Sequence, residues 1–162
     1  MYEIIKEQDT KNIYEMIEQK VLENQQKYKY FMQSAKMKPI KNSSFEKVEY
    51  YSHIDGRVQG YFAYLYDKIN NKIINIELIS FEENPVFVRD FLKFCEYLGD
   101  NFRNVELSVI PGNPAYKLTR KAFVKYNFKR IGVLEDSIRL IDGEYYPVEI
   151  WQKEGINNRQ CS

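Results

Sequence analysis

Few side chains in this sequence suit proton transfer, nucleophilic attack or metal binding near neutral pH. His53 is the only histidine, and the two cysteines are Cys95 and Cys161. These three residues cannot assemble a metal site, and we find no Ser-His-Asp arrangement and no Walker-type phosphate loop. Cys95 lies in an apolar helical stripe and is interpreted as a core residue. His53 precedes a hairpin turn and is interpreted as exposed, with a catalytic role as the alternative.

A second chemical feature is a basic stretch, rich in aromatic residues, between residues 24 and 45. It contains no acidic residue, and its lysines are Lys27, Lys29, Lys36, Lys38 and Lys41. A solvated helix end and loop would explain the stretch, and so would a basic wall for an anionic ligand. An RNA-binding module is a third interpretation. The net charge of the whole chain is only +1, which disfavours a nucleic-acid partner.

Length and composition favour one soluble, intracellular domain. The 162 residues are 44% hydrophobic, which is enough to build a core. No apolar run approaches the roughly 20 residues of a membrane span, and the first residues are too charged for a signal peptide. Two cysteines fit a reducing compartment. We therefore expect one domain over residues 1–154, a disordered tail over residues 155–162 and a cytoplasmic location.

The first half of the chain predicts a short strand, a long helix and three antiparallel strands. Residues 2–6 form the short strand, and apolar spacing predicts a helix over residues 10–30, capped by Asp9 and Thr10. Period-two alternation predicts strands over residues 48–54, 57–66 and 72–81. The last of these should have two faces, with Ile74, Ile76 and Leu78 on one and Ile73, Asn75, Glu77 and Ile79 on the other.

The second half predicts a helix, a strand, a helix and a hairpin. Pro85 suits the first turn of a helix that Gly99 would end. A strand over residues 104–110, a helix over residues 114–126 and a closing hairpin should follow, with strands over residues 128–140 and 145–153. A strand, helix and strand of this length cross over in the right-handed sense. The strands at 72–81 and 104–110 should therefore run parallel.

This order of elements resembles the GNAT acyltransferases. The similarity is strongest over three segments: Val105-Glu106-Leu107-Ser108-Val109 leading to Gly112-Asn113, the junction Lys125-Tyr126-Asn127-Phe128-Lys129-Arg130-Ile131-Gly132, and the hairpin from Asp136 to Tyr146. The resemblance implies a mixed α/β fold, with a seven-strand sheet, a central parallel pair and helices on both faces. It also implies an N-acetyltransferase that moves an acetyl group from acetyl-CoA to an amine by direct attack.

The cofactor loop departs from the family pattern. In the family, its glycines let backbone N–H groups surround a pyrophosphate at a helix N-terminus. The corresponding residues 81–88 contain no glycine, carry Glu82 and Glu83, and lose one N–H donor at Pro85. The two carboxylates oppose a polyphosphate, although solvent can screen them.

The tyrosine that protonates the leaving thiolate in the family is also displaced. Counting five residues back from the junction phenylalanine gives Phe123, and counting on from Asn113 gives Arg120. Tyr116 lies seven residues before Phe123, on the same helical face, and Tyr126 is a second candidate.

The resemblance implies a role for each remaining site residue. Glu77 would be the base that accepts the ammonium proton, and the alternatives are an exposed position or an ion pair with a neighbouring lysine. Tyr116 or Tyr126 would be the acid. The cofactor would contact the backbone at Leu78, Ile79, Ser80 and Phe81, together with Asn113. Asn113 could equally cap the following helix.

Two functional hypotheses remain open, and we favour the enzyme. The alternative is a catalytically inactive GNAT-fold binding or interaction module that lacks acyl-CoA. Catalysis requires a gap between the two central parallel strands that admits pantetheine and that Phe87 does not fill. The expected partner is a small-molecule or peptide amine acceptor, with no membrane and no nucleic acid. A homodimer is compatible with the sequence.

Overall fold

A computed structural model describes residues 2–4, 9–30, 44–55, 57–81, 84–102 and 104–154. The tail predicted over residues 155–162 and most of the basic stretch lie outside these residues. No helix in the described part of the chain combines the length and the apolar character needed to span a bilayer.

Strands and helices follow one another in nearly the predicted order. The elements are β1 (Tyr2–Ile4), α1 (Thr10–Glu23), α2 (Gln25–Tyr28), β2 (Phe45–Ile54), β3 (Arg57–Asp67), β4 (Lys72–Ser80), α3 (Pro85–Asn101), β5 (Asn104–Val109), α4 (Tyr116–Lys125), β6 (Lys129–Arg139) and β7 (Tyr145–Glu154).

The strands form a seven-stranded sheet in the order β1-β2-β3-β4-β5-β7-β6, in which β4 and β5 run parallel and the other neighbouring pairs antiparallel. On one face, α3 and α4 bury an aromatic core that includes Phe62, Phe91, Phe94 and Phe123. On the other face, α1 and α2 pack on the sheet around Tyr61. The predicted fold class is confirmed, including the central parallel pair and the helices on both faces.

The first helix is shorter than the sequence predicts. It breaks at Asn24, whose φ of −149° and ψ of 72° are not helical. The Asn24 side chain accepts a hydrogen bond from the Lys27 N–H at 3.0 Å, so the polar side chain competes with the helical backbone and starts the short α2. Asp9 occupies the predicted N-cap position of α1, but its side chain makes no capping hydrogen bond.

Two further local predictions need correction. The β3–β4 register shifts next to Leu65, so Ile73 turns to the aromatic core beside Ile76 and Leu78, whereas Ile79 packs under α1. Gly99 lies inside α3 and does not end it. The helix continues to Asn101 and is closed by the Phe102 N–H bonded to the Leu98 carbonyl.

Candidate active site

The two central strands separate soon after they begin. Only Lys72 with Asn104 and Ile73 with Val105 are paired in the β4–β5 ladder of the described chain. Beyond these pairs, β4 continues to Ser80 and β5 to Val109, so a gap opens toward their carboxyl ends. Lys72 and Glu106 form an ion pair of 2.6 Å beside the closed end. The two strands therefore lose their pairing in the place where the sequence hypothesis required a gap.

The β3–β4 ladder determines which backbone groups of β4 face this gap. Gly60 is opposite Ser80, so Gln59 and Phe81 are the adjacent pair of residues. The Phe81 N–H donates to the Gln59 carbonyl at 2.9 Å, which makes that pair a hydrogen-bonded one. Gly60 and Ser80 are therefore a non-hydrogen-bonded pair, and the next pair directs the Ile79 N–H to β3. By the same alternation, the backbone N–H and C=O of Leu78 point away from β3, toward the gap.

The four cofactor-contact residues proposed on β4 consequently divide into two groups. Leu78 and Ser80 turn their backbone toward the β5 side. Ile79 uses its backbone in the β3 ladder, and its side chain is buried under α1. Phe81 has both backbone groups engaged, because its carbonyl also accepts a hydrogen bond of 3.3 Å from the Tyr28 hydroxyl.

The N-terminus of α3 offers few donors to a phosphate group. Asn84 caps the helix, accepting the Val86 N–H on its side chain at 2.8 Å and the Val88 N–H on its carbonyl at 3.2 Å. Pro85 has no N–H. Three of the four positions from 85 to 88 therefore present no unused donor, while Glu82 and Glu83 lie outside the described residues. The described part of the α3 N-terminus therefore offers a pyrophosphate few hydrogen-bond donors.

Phe87, the side chain that must not fill the gap if the chain is an enzyme, packs on β3. Its ring lies 5.7 Å from that of Phe62 and covers Gly60, where an added Cβ would overlap it. Gly60 and Phe62 both belong to β3, so the Phe87 ring is seated on β3. The glycine at position 60 is needed for this close approach.

On the α1 face of the sheet, Glu77 belongs to a buried group of polar side chains. We call this group the α1-side cluster: Tyr14, Lys47, Glu49, Tyr61 and Glu77. Lys47 Nζ lies 2.8 Å from Glu77 Oε2 and 3.3 Å from Glu49 Oε1. Tyr14 and Tyr61 each donate a hydrogen bond of 2.6 Å to Glu49 Oε1. The ion pair left open as an alternative for Glu77 therefore forms, with Lys47.

Exposure distinguishes the two carboxylates of the α1-side cluster. The Glu77 side chain is 36% exposed, whereas those of Glu49 and Lys47 are 12% and 7% exposed. Burial raises the pKa of the Tyr61 phenol well above its usual value, and the charges of Glu77 and Glu49 add to the effect. The phenol consequently remains a donor across the physiological range, and Glu77 is the member of the cluster open to a ligand.

A second group, on the other face, was missed by the sequence analysis. We call it the α4-side cluster: Tyr116, Arg130, Glu149 and Trp151. Glu149 is 4% exposed and accepts hydrogen bonds from the Tyr116 hydroxyl at 3.0 Å and the Trp151 indole at 3.1 Å. Arg130 lies 3.3 Å from it. The sequence offered only a weak indication of this cluster. Glu149 is two residues from Trp151 on β7, so the two side chains share the inward face of the strand.

The two candidate acids lie at opposite ends of α4. Tyr116 begins the helix, near the carboxyl end of β5 where the gap is open, and Tyr126 follows its last residue. Ten residues of helix separate them by about 15 Å. Phe123 is fully buried against Phe128 and Trp151, which explains why that position carries no acid here.

The other sequence candidates occupy structural positions. Asn113 accepts the Ala115 N–H on its side chain at 2.8 Å and so closes a turn before α4; the helix itself has Ala115 at its N-cap position, without a side-chain capping bond. His53 lies 3.1 Å from Glu3 at the surface. Cys95 is buried in α3, and its burial raises the pKa of the thiol, as expected for a core residue.

One lysine of the basic stretch is committed to an internal contact. Lys29 donates to Asp142 at 3.1 Å and to the Tyr146 hydroxyl at 2.8 Å, and Tyr146 donates to Asp142 at 2.7 Å. These contacts, here called the Lys29 strap, tie the end of α2 to the β6–β7 hairpin. Both hydrogen bonds, first that to Tyr146, raise the pKa of Lys29. Lys29 is thus occupied within the fold.

Comparison with known proteins identifies the architecture. No protein-family model matches the sequence, and no curated protein matches it significantly. Solved structures do match. A spermidine N-acetyltransferase from Vibrio cholerae, in complex with CoA and spermine, has a TM-score of 0.64 at 12% identity over 94% of each chain. A ribosomal-protein-S5-alanine acetyltransferase from Vibrio fischeri has a TM-score of 0.63 at 10% identity, over 99% of this chain and 94% of that one.

An acetyltransferase of the GNAT family from Streptococcus pneumoniae gives a TM-score of 0.63 at 11% identity, over 94% of this chain and 98% of that one. A ribosomal L7/L12 α-N-protein acetyltransferase with CoA is similar over 67% of this chain and 62% of that one, with a TM-score of 0.54 and 12% identity. At such low identities the comparisons establish the fold, and the resemblance in the sequence is confirmed at that level.

Proposed function

We propose that this chain, which has the GNAT acetyltransferase fold, is an N-acetyltransferase that uses acetyl-CoA and an amine acceptor. The observation that carries the proposal is the gap between β4 and β5, with the Leu78 backbone turned toward it. An extended pantetheine arm has amide groups that can bond such a strand edge. Relatives in fold whose structures contain CoA support the same choice.

In the proposed mechanism, acetyl-CoA supplies the acetyl thioester and this chain supplies its orientation and the proton transfers. The Leu78 N–H holds the carbonyl oxygen as negative charge develops on it. Glu77 accepts a proton from the acceptor ammonium, which makes the nitrogen nucleophilic. As the C–N bond forms and the C–S bond breaks, the Tyr116 O–H turns from Glu149 and gives its proton to the departing sulfur. The acceptor nitrogen releases its second proton to solvent, and solvent returns a proton to the Tyr116 phenolate.

The two proton-transferring residues lie on opposite faces of the sheet. Glu77 projects to the α1 face and Tyr116 to the α4 face. The gap connects these faces, so an acceptor on the α1 side could meet a thioester that enters from the α4 side. Tyr126 is at the wrong end of α4 for this arrangement, and the proposal therefore assigns the acid role to Tyr116.

The first experiment measures cofactor binding. A ligand at 100 times its dissociation constant stabilises a fold by about 2.7 kcal/mol, which raises the melting temperature of a domain of this size by roughly 5–10 °C. We expect a shift of this order with CoA and with acetyl-CoA. ADP should give little, because the α3 N-terminus has few donors.

The second experiment measures transfer. Free thiol released from acetyl-CoA would be followed with spermidine and with an alanine-terminated peptide, the acceptor types named for two of the structural relatives. Mass spectrometry should show a gain of one acetyl group on an amine. If millimolar CoA and acetyl-CoA leave the melting temperature unchanged, the inactive binding module becomes the better interpretation.

A further inference from the structure

Glu49 and Glu77 are linked by the register of three neighbouring strands. Glu49 on β2 is opposite Ala63 on β3, and Ala63 is opposite Glu77 on β4. The three side chains therefore lie in one row on the α1 face, about 10 Å from end to end at the backbone. Ala63 is fully buried, and its small side chain leaves the space between the two carboxylates to other groups.

Two groups fill that space and contact both carboxylates. Lys47 reaches across from β2 and places its single ammonium 3.3 Å from Glu49 and 2.8 Å from Glu77. The Tyr61 hydroxyl lies 2.6 Å from Glu49 and 3.3 Å from Glu77. One cation and one phenol are thus shared between two acceptors, and the carboxylates compete for them.

We propose that Glu49 is a positioning residue for Glu77, because it shares the Lys47 ammonium, holds the Tyr61 hydroxyl nearer to itself than to Glu77, and so leaves Glu77 able to accept a proton. Without Glu49, Lys47 and Tyr61 would both bond to Glu77 alone. The Glu77 carboxylate would then be held in its ionised form. The inference rests on the proposed function for the role of Glu77, but the interaction itself can be measured in the protein alone.

The charged and titratable groups around Glu77 come from three elements in the described part of the chain. Lys47 and Glu49 belong to β2, Tyr61 to β3 and Tyr14 to α1. Burial, hydrogen bonding to Glu49 and then the charges of Glu49 and Glu77 raise the pKa of Tyr14. Both phenols therefore stay protonated near neutral pH, and Lys47 and Glu49 are the groups whose removal changes the local charge.

The test is a carbon-13 NMR titration of the Glu77 side-chain carboxyl in the full chain. In Glu49→Gln, a nearby negative charge disappears and Lys47 is no longer shared, so the titration midpoint should fall by about 1 pH unit. In Lys47→Met, the attracting cation disappears, and the midpoint should rise by about 1 pH unit or more. Opposite shifts from two neighbouring residues would not arise from a general loosening of the fold.

Glu46→Gln is the matched control. Glu46 lies on the same strand, pairs with Lys68 at 3.1 Å and is 52% exposed. We expect this substitution to leave the Glu77 midpoint within about 0.2 units of the wild type, since exposed charges are well screened. An unchanged midpoint in Glu49→Gln, or a change no larger than that of the control, would overturn the proposal.

The two proposals can fail separately. If acetyl-CoA does not bind but the midpoints move as expected, the coupling of Glu49 to Glu77 stands and the acetyltransferase proposal falls. If acetyl transfer occurs but the Glu77 midpoint is indifferent to Glu49, the enzyme stands and Glu49 has no positioning role. Should Glu49→Gln fold poorly, Lys47→Met still tests the premise: a Glu77 midpoint that does not rise would show that the shared lysine does not act on Glu77, and the proposal would fall.

Discussion

The α1-side and α4-side clusters each centre on a carboxylate close to the gap, but they balance charge differently. In the α1-side cluster, two carboxylates share one lysine, and Glu77 is 36% exposed. In the α4-side cluster, one carboxylate has a cation and two neutral donors to itself, and Glu149 is almost completely buried. The α1-side cluster therefore has one more carboxylate than it has cations. In the α4-side cluster the two numbers are equal.

This difference indicates what each cluster can do. An excess carboxylate attracts a further cation, such as the ammonium form of an acceptor, and can take its proton. A buried carboxylate that is fully satisfied fixes its partners in place, so Glu149 orients the Tyr116 hydroxyl. The proposed chemistry therefore requires an unbalanced cluster on the acceptor side and a balanced one on the thioester side.

The largest effect should come from removing the excess carboxylate. Glu77→Gln keeps the shape but removes the proton acceptor, so acetyl transfer should fall by about 100-fold or more, while the melting shift caused by CoA stays. Glu46→Gln, on strand β2, should transfer acetyl normally. If Glu77→Gln retains full activity, Glu77 is not the base. The role given to the α1-side cluster in the comparison is then wrong.

The next effect compares the two ends of α4. Tyr116→Phe removes the proposed acid and should lower the transfer rate by about 100-fold at neutral pH. Tyr126→Phe makes the same change about 15 Å away along the helix and should have little effect. Steady-state rates for the two variants decide the assignment, and a larger loss in Tyr126→Phe would reverse it.

A stability measurement tests the structural half of the comparison. Glu149→Ala leaves the buried Trp151 N–H and the Tyr116 hydroxyl without their acceptor, and should lower the free energy of unfolding by about 2–4 kcal/mol. Glu106→Ala breaks a half-buried ion pair with Lys72 and should cost less than about 1 kcal/mol. Urea denaturation compares them, and equal losses would show that Glu149 is not a buried anchor.

The smallest effect concerns alkaline pH. The pKa of Tyr14 is raised, chiefly by burial and then by its bond to Glu49, so the folded chain keeps a proton that the unfolded chain releases above about pH 10. This contribution is complete below pH 10 and is lost as pH rises further. Tyr14→Phe should make the fall in unfolding free energy between pH 9 and 11 smaller by about 1.4 kcal/mol in total. Denaturation curves measured between pH 9 and 11 check this prediction. A fall in unfolding free energy equal to that of the wild type would contradict it.

The fold was predictable from the sequence because its signals are local. Alternation in β3 and β5 and the apolar stripe of α3 gave the element types and their order, and the crossover rule gave the parallel pair. The break at Asn24 was not predictable in this way, because a capping side chain competes there with an otherwise regular helical pattern.

The site was only partly predictable, because it depends on register and side-chain reach. On β2, Lys47 and Glu49 alternate with apolar residues and resemble a solvent face, yet α1 covers that face and buries them. Their link to Glu77 requires the alignment of three strands, which no local pattern gives. The direction of the Leu78 backbone likewise follows from the β3–β4 pairing.

The Lys29 strap has a consequence for how the chain folds during synthesis. Lys29 and Tyr146 are separated by 117 positions, so the lysine leaves the ribosome long before its partner is made. The end of α2 therefore cannot be fastened until the β6–β7 hairpin has emerged. In the interval, Tyr28 and its neighbours have only the early strands to pack on. A nascent chain stalled before the final hairpin should expose this segment to chaperones and proteases.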